Sequence, residues 1–141
     1  MPLATIRNTD ELPYRAAIAA GVRLVMASWA VYPVLDPGRP AGLSSTIVGG
    51  ELRQRLGFRG VTITDALEAG ALHAYGTFGQ RGLLAAEAGM DLILCSQQNV
   101  SEGEQAAAGL ADGYRDGQLP KVAFLAALQR VLALRASLRP S

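Results

Sequence analysis

The sequence lacks the features that mark several classes of protein. Cys95 is its only cysteine, so no disulfide can form within the chain, and a reducing compartment is favoured. The formal net charge is +1, too balanced for a nucleic-acid or polybasic membrane-binding surface. No apolar run approaches the roughly 20 residues that span a bilayer, and residues 1–10 lack the regions of a signal peptide. We therefore expect a soluble, cytoplasmic protein without nucleic-acid or membrane partners.

Sequence motifs for common cofactors are also absent. The closely spaced glycines Gly49, Gly50, Gly57 and Gly60 precede a predicted strand. Dinucleotide-binding and phosphate-binding loops instead place their glycines after a strand and before a helix. We therefore expect neither a cofactor nor a bound metal.

What the sequence does contain is an alternation of helices and strands. Half of the 141 residues are hydrophobic, which suits one compact domain with a real core. The predicted strands are 22–27, 60–65 and 90–95, and the predicted helices are 11–20, 44–56, 80–88, 101–115 and 120–138, with a long loop at 28–43. This order predicts an α/β fold with a parallel sheet and right-handed crossovers. Three strands are too few to close a barrel, which needs eight.

Asp65 ends the central predicted strand, Gly60 to Asp65, in which the first four residues after the glycine are all β-branched. Good helix formers follow, so Asp65 is predicted to lie at the carboxyl edge of the sheet, where catalytic side chains normally sit. An aspartate there can be a nucleophile, a metal ligand or a general base. It can equally be the N-cap of the helix behind it.

Two more polar residues follow Asp65 toward the same edge. His73 is the only histidine and lies in a glycine-punctuated loop. Histidine changes charge near neutral pH, so it could act as a general acid, and the alternative is a solvent-exposed loop residue. Glu68 would share a helical face with Asp65, or would be a first-turn glutamate favoured by the helix dipole.

Several long stretches of the chain resemble one enzyme family. These stretches are DELPYRAAIAAGV, VMASWAVYPVLDP, LSSTIVGGELRQRLGFRGVTITDALEAGAL and EAGMDLILC. Their order is similar to the second half of the catalytic barrel of family-three glycoside hydrolases, closest to the bacterial β-N-acetylglucosaminidase branch. The resemblance implies a partial, half TIM barrel of about three parallel β/α units with an extra N-terminal and C-terminal helix. Residues 1–141 would form one truncated domain.

The resemblance also implies roles for the candidate residues. Asp65 falls on the family's nucleophile, which forms a glycosyl-enzyme intermediate. The family's own acid/base lies on a loop that these stretches do not include, and His73 is the best candidate for that role within the chain. Trp29 stands where that branch usually has histidine; it either stacks on a sugar face or fills an apolar gap. Ala66 and Ala69 replace the family's second acid and methionine. The expected substrate-binding residues are Trp29 and Glu68.

The expected function is therefore that of a retaining β-glycosidase that acts on β-glucosides or β-N-acetylglucosaminides. The alternative is a non-catalytic barrel fragment or sugar-binding module that needs a partner chain. Three strands leave two sheet edges unpaired and an inner face meant for a barrel interior. We therefore expect a homo-oligomer, most simply a dimer about a two-fold axis.

Overall fold

The computed structural model describes residues 2–138, which form five strands and five α-helices joined by tighter and wider helical turns. The strands are β1 Leu24–Ala27, β2 Val31–Tyr32, β3 Asp36–Pro40, β4 Val61–Ala66 and β5 Leu92–Leu94. The α-helices are α1 Leu3–Thr5, α2 Leu12–Ala19, α3 Phe78–Ala88, α4 Val100–Arg115 and α5 Lys121–Ser137. The π-helices are Ile6–Asp10 and Thr46–Arg55, and the 3₁₀-helices are Ala41–Leu43 and Gly70–Tyr75.

The main sheet has three parallel strands in the order β1–β4–β5. Strand β4 lies in the middle because its β-branched residues Val61 and Thr62, which are 2% and 0% exposed, can be covered on both faces. The predicted α/β fold with a parallel sheet is confirmed. Its carboxyl edge carries the residues that follow Ala27, Asp65 and Leu94.

The predicted loop 28–43 is wrong in part, because it contains a two-stranded antiparallel sheet made of β2 and β3. Asp36 organises this hairpin: its carboxylate accepts hydrogen bonds from the Gly38 amide at 3.0 Å and the Ser44 hydroxyl at 2.7 Å. The Ser44 hydroxyl and then the Gly38 amide lower the pKa of Asp36 below its ordinary value. A strand of two residues is too short to show an alternating pattern in the sequence.

Several helices start at residues other than the predicted ones. The first helical segment begins at Leu3 rather than at residue 11 and continues through a π-turn into α2. Helix α3 begins at Phe78, two residues early, because Thr77 and Gln80 form a capping box. Helix α4 begins at Val100, one residue early, because the side chain of Asn99 caps it by accepting from the Ser101 amide at 3.1 Å.

Helices α3 and α4 pack more closely against each other than any other pair of elements in the described chain. Glycines allow this approach, since a Cβ on Gly79 would lie 3.0 Å from the carbonyl oxygen of Gln105. The apolar core lies between these helices and the sheet. It consists of Trp29, Leu43, Val48, Leu67, Leu72, Ala85, Met90 and Ala106.

Helix α5 is tied to the amino ends of the strands by Asp91, which immediately precedes β5. The Asp91 side chain is fully buried and forms ion pairs of 2.7 Å with Arg53, from the second π-helix, and with Arg130, from α5. It also accepts a hydrogen bond from the backbone amide of Thr62 at 3.0 Å. No helix between residues 2 and 138 is both long and apolar enough to cross a membrane.

Candidate active site

Asp65 is the second-last residue of the central strand and is only half-buried at the carboxyl edge of the sheet. Its Oδ1 accepts a hydrogen bond from the backbone amide of Ala66 at 2.7 Å. No other side-chain hydrogen bond or ion pair holds the carboxylate within residues 2–138. One oxygen is thus fixed by the backbone and the other is left open.

The helix-cap alternative for Asp65 is wrong, because no helix begins there. Strand β4 continues through Ala66, and the next regular element is a 3₁₀-helix that starts at Gly70. The good helix formers after Asp65 therefore form an extended residue followed by a turn. The position of Asp65 needs an explanation other than helix capping.

Trp29 lies directly beside this strand end. Its indole is 7% exposed, and its Nε1 donates a hydrogen bond of 2.9 Å to the carbonyl oxygen of Ala66. A Cβ on Gly42 would approach the ring to 2.5 Å, so that glycine makes room for the indole. This placement favours the gap-filling alternative: Trp29 packs in the core and holds the residue that follows Asp65.

Glu68 turns toward β5. Its carboxylate accepts hydrogen bonds from the hydroxyl of Ser96 and, at 3.4 Å, from the amide of the same serine. Burial acts to raise the pKa of Glu68. Hydrogen bonds to its carboxylate, led by that from the Ser96 hydroxyl, have the larger combined effect, so the pKa is lowered. Glu68 therefore joins the turn after β4 to the loop after β5.

Glu102 is the residue that the sequence analysis missed. It lies in the first turn of α4 and is 0% exposed, and neither carboxylate oxygen makes a hydrogen bond of normal geometry within residues 2–138, although the backbone amide of Gln97 acts to lower its pKa. Burial and the neighbouring Glu68 raise the pKa of Glu102. A glutamate in a first helical turn normally indicates a solvated charge near the helix dipole, so the sequence gives no signal of its burial.

His73 lies in the 3₁₀-helix Gly70–Tyr75 and is exposed. The neighbouring Leu72 is fully buried and fixes this segment to the core. The predicted glycine-punctuated loop is therefore wrong in part: residues Gly70–Tyr75 are helical, and Gly79 lies inside α3, where it packs against α4. The histidine side chain is nevertheless open to solvent, eight residues after the Asp65 carboxylate.

The site thus combines an open carboxylate with an exposed histidine nearby in sequence. No group of three or more His, Cys, Asp or Glu side chains in the described part of the chain is placed to hold a metal ion. The chemistry available from these side chains is nucleophilic attack by a carboxylate and proton transfer by an imidazole.

Comparison with known proteins places this chain in a family. A sequence model described as the glycosyl hydrolase family 3 N terminal domain matches residues 1–134. An uncharacterized secreted glycosyl hydrolase of Arthroderma benhamiae is 48% identical over 138 residues, which cover 98% of this chain and 39% of that protein. A beta-hexosaminidase of Chromobacterium violaceum is 37% identical over 106 residues, covering 74% of this chain and 29% of that protein.

Solved structures agree with the sequence matches. The glycoside hydrolase family 3 beta-N-acetylglucosaminidase from Paenibacillus sp. str. FPU-7 is similar with a TM-score of 0.84 and 36% identity. The match covers 88% of this chain and 24% of that one. The predicted partial TIM barrel is thereby confirmed, and the chain spans well under half of each of these three relatives. By its sequence and by its fold, the chain belongs to glycosyl hydrolase family 3.

Proposed function

We propose that this chain carries the nucleophile of a retaining β-glycosidase and that Asp65 is that nucleophile. The observation that carries the proposal is the state of the Asp65 carboxylate. It lies at the carboxyl edge of the central strand, with Oδ1 held by the Ala66 amide and without a helix to cap. A fixed carboxylate with one open oxygen is suited to attack an electrophilic carbon.

The reaction would proceed in two steps. In the first, Oδ2 of Asp65 bonds to the anomeric carbon while the bond to the leaving oxygen breaks, and an acid protonates that oxygen. In the second, water attacks the same carbon, gives its proton to the same acid/base, and releases Asp65 as a carboxylate. The Ala66 amide, 2.7 Å from Oδ1, would orient the carboxylate in both steps.

His73 is the acid/base that we propose for these steps. Its exposure on the segment that follows β4 leaves the imidazole free to approach a bound sugar. Glu68 is the less suitable candidate, because its carboxylate is occupied by Ser96 and its lowered pKa keeps it ionised. A general acid must hold a proton at the working pH.

For the substrate, we propose a β-linked N-acetylhexosaminide rather than a β-glucoside. Support comes from the relatives named beta-hexosaminidase and beta-N-acetylglucosaminidase, which are 37% and 36% identical to this chain. Trp29 packs in the core rather than facing outward. The polar contacts that select the sugar would then come from other side chains.

The test is turnover of nitrophenyl β-N-acetylglucosaminide and nitrophenyl β-glucoside by the wild type and by Asp65→Asn. The asparagine variant should lose at least about three orders of magnitude in rate, because an amide cannot form the glycosyl ester. Asp112→Asn, at an exposed aspartate of α4, is the matched control and should keep the wild-type rate. Mass spectrometry of protein denatured during turnover should find the sugar on the peptide that contains Asp65. Equal rates for Asp65→Asn and the wild type would refute the assignment.

The proposed acid is tested with two leaving groups. If His73 protonates the leaving oxygen, His73→Ala should slow an alkyl glycoside far more than a nitrophenyl glycoside, whose leaving group departs without a proton. Equal slowing of both substrates would mean that His73 only shapes the site. Unchanged rates for both would place the acid elsewhere.

A second function is favoured by the exposed sheet. Leu24 and Met26 on β1 are 38% and 49% exposed, and β1 and β5 are the outer strands of the three-stranded sheet. Exposed apolar strand residues beside unpaired edges are typical of a surface that another chain covers. This supports a barrel fragment that works only when paired, most simply with a second copy of itself.

Light scattering tests this pairing at micromolar concentration. A dimer that dissociates in Met26→Lys but not in Gln54→Lys, an exposed position on the second π-helix, would support it. A monodisperse monomer would exclude the dimer. Glycosidase turnover by that monomer would exclude the paired fragment as well.

A further inference from the structure

Two glutamates from separate elements meet at the carboxyl edge of the sheet. Glu68 follows β4, Glu102 lies in α4, and their carboxyl groups are within hydrogen-bonding reach of each other. Glu102 is fully buried, whereas Glu68 is half-buried and also binds Ser96. The two side chains thus hold the loop that leads from β5 into α4.

The contact between the Glu68 and Glu102 carboxyl groups requires a proton between them. Two ionised carboxylates in contact repel each other, and burial strengthens the repulsion. Within the described range, Glu102 forms no ion pair with a cation and no hydrogen bond of normal geometry. The backbone amide of Gln97 acts to lower its pKa, but it offsets the effects of burial and of Glu68 only in part. The only way to join two facing acceptor oxygens is for one of them to carry a hydrogen.

The other charged and titratable groups around the pair do not replace that proton. The positive charge of Arg81 on α3 acts on Glu102, but its guanidinium donates to the carbonyl oxygens of Gly76 and Leu67, both at 2.9 Å. On the β5 side lies the Cys95 thiol, whose pKa is raised by burial first and then by the two glutamates. Neither group supplies a hydrogen bond to Glu102.

We propose that Glu68 and Glu102 share a single proton and act as a positioning pair that fixes loop 95–99 beside the Asp65 strand end. Glu102 is protonated and donates, and Glu68 is ionised and accepts from both Glu102 and Ser96. Because Leu67 also donates its amide to the Leu94 carbonyl at 3.0 Å, the pair extends the link between β4 and β5 past the end of the sheet. The consequence for catalysis rests on the proposed function; the shared proton does not.

The pair confers a definite pH dependence on this loop. Burial and then the contact with Glu68 raise the pKa of Glu102 above its ordinary 4.5, so its stabilising proton is lost as the pH rises through that raised value. The pKa of Glu68 is shifted below 4.5, despite the opposing effect of burial, by hydrogen bonds led by that from Ser96. Its contribution is therefore lost as the pH falls through the lowered value. The loop is held between these two limits, where the pair carries one proton.

Carbon-13 NMR of the glutamate carboxyl groups tests the shared proton without any need for activity. In the intact chain, Glu102 should titrate with a midpoint above 4.5 and Glu68 with a midpoint below it, and the Ser96 amide signal should follow the Glu102 titration. Glu102→Gln keeps a donor that carries no charge, so the Ser96 amide should no longer change over that pH range. Glu104→Gln, at an exposed glutamate of the same helix, is the matched control and should leave the Glu102 titration unchanged.

Each other result overturns the proposal. Single-step titrations of both Glu68 and Glu102 near the ordinary 4.5 would exclude a shared proton, and a Ser96 amide signal that does not change with the Glu102 titration would exclude the link to the loop. A Glu102 signal that moves on addition of calcium chloride at fixed pH would show a cation site in place of the proton. If Glu102→Gln fails to fold, the titration of the wild-type chain alone tests the shared proton.

The catalytic consequence is read from the pH profile of kcat/KM. Glu102→Gln should remove the fall in rate that tracks the Glu102 titration at higher pH, and Glu104→Gln should not. A chain with the predicted titration but no turnover would refute the proposed function and leave the shared proton standing. Turnover with an unaltered pH profile would refute the positioning role.

Discussion

Asp65 and Asp91 lie at opposite ends of neighbouring strands, and the structure assigns them opposite responses to the same substitution. Asp91→Asn removes the charge that joins Arg53, Arg130 and the Thr62 amide. Asp65→Asn changes a half-buried carboxylate whose one side-chain hydrogen bond an asparagine oxygen can still accept. The first variant should unfold more easily, and the second should not.

The expected loss of stability in Asp91→Asn follows from the burial of this side chain. Its side chain is 0% exposed, and those of Arg53 and Arg130 are 18% and 28% exposed. Breaking one partner of a buried ion pair costs about 3–5 kcal/mol, because the remaining charges are left uncompensated. With about 2.1 cal/mol/K of unfolding entropy per residue, a chain of 141 residues should lose about 10–17 °C in Tm.

For Asp65, the expected loss is about 1 kcal/mol or less, since the backbone hydrogen bond can be kept. Asp112→Asn is a control for an exposed pair: the side chains of Asp112 and Arg115 are 59% and 69% exposed. It should cost less than about 1 kcal/mol.

Thermal and urea unfolding of the three variants, with the m-value monitored for a change in mechanism, measures these free energies. A loss below about 1 kcal/mol for Asp91→Asn would mean that solvent screens the cluster as it screens a surface pair. A large loss for Asp65→Asn would mean that this carboxylate is structural, and would weaken its assignment as a nucleophile.

Three further predictions concern packing and acid stability. Gly109→Ala should lower the free energy of unfolding by about 1–3 kcal/mol, because its Cβ would collide with the α3 backbone. Gly103→Ala, at an open position of the same helix, should instead raise it by about 0.5–1 kcal/mol in the same urea titration. Trp29→Phe should cost about 1–3 kcal/mol in thermal unfolding, since it leaves the Ala66 carbonyl without its indole donor, and an unchanged Tm would contradict that. The Ser44 hydroxyl and the Gly38 amide lower the pKa of Asp36. The ionised carboxylate should therefore stabilise the fold above its ordinary pKa, and this stabilisation should be lost as the pH falls through the lowered pKa. The acid-induced decrease in Tm should therefore be shallower in Asp36→Asn than in the wild type.

Much of the fold could be predicted from the sequence because its signals are local. The β-branched residues after Gly60 predicted the central strand. Two predicted helices, 11–20 and 80–88, are each followed by a glycine, and Gly21 and Gly89 have the left-handed φ angles of +83° and +102° that helix ends favour. The hairpin could not be predicted in the same way. Its strands are short, β3 contains two prolines, and both are defined by Asp36 contacts that the pattern of apolar residues does not encode.

The candidate site also combines features that the sequence predicted with features that only the fold revealed. The sequence by itself determined that Asp65 lies near the carboxyl end of a buried strand in a parallel sheet, because strand period and glycine punctuation act over a few neighbouring residues. Only the tertiary structure decided that Asp65 caps no helix and that Glu102 is buried against Glu68. Those facts depend on how far β4 extends and on where α4 packs after β5. The extent of β4 and the packing of α4 are both set by contacts between residues far apart in the chain. The cost of burying the Glu102 charge likewise depends on Glu68, a residue that only the tertiary fold places beside it.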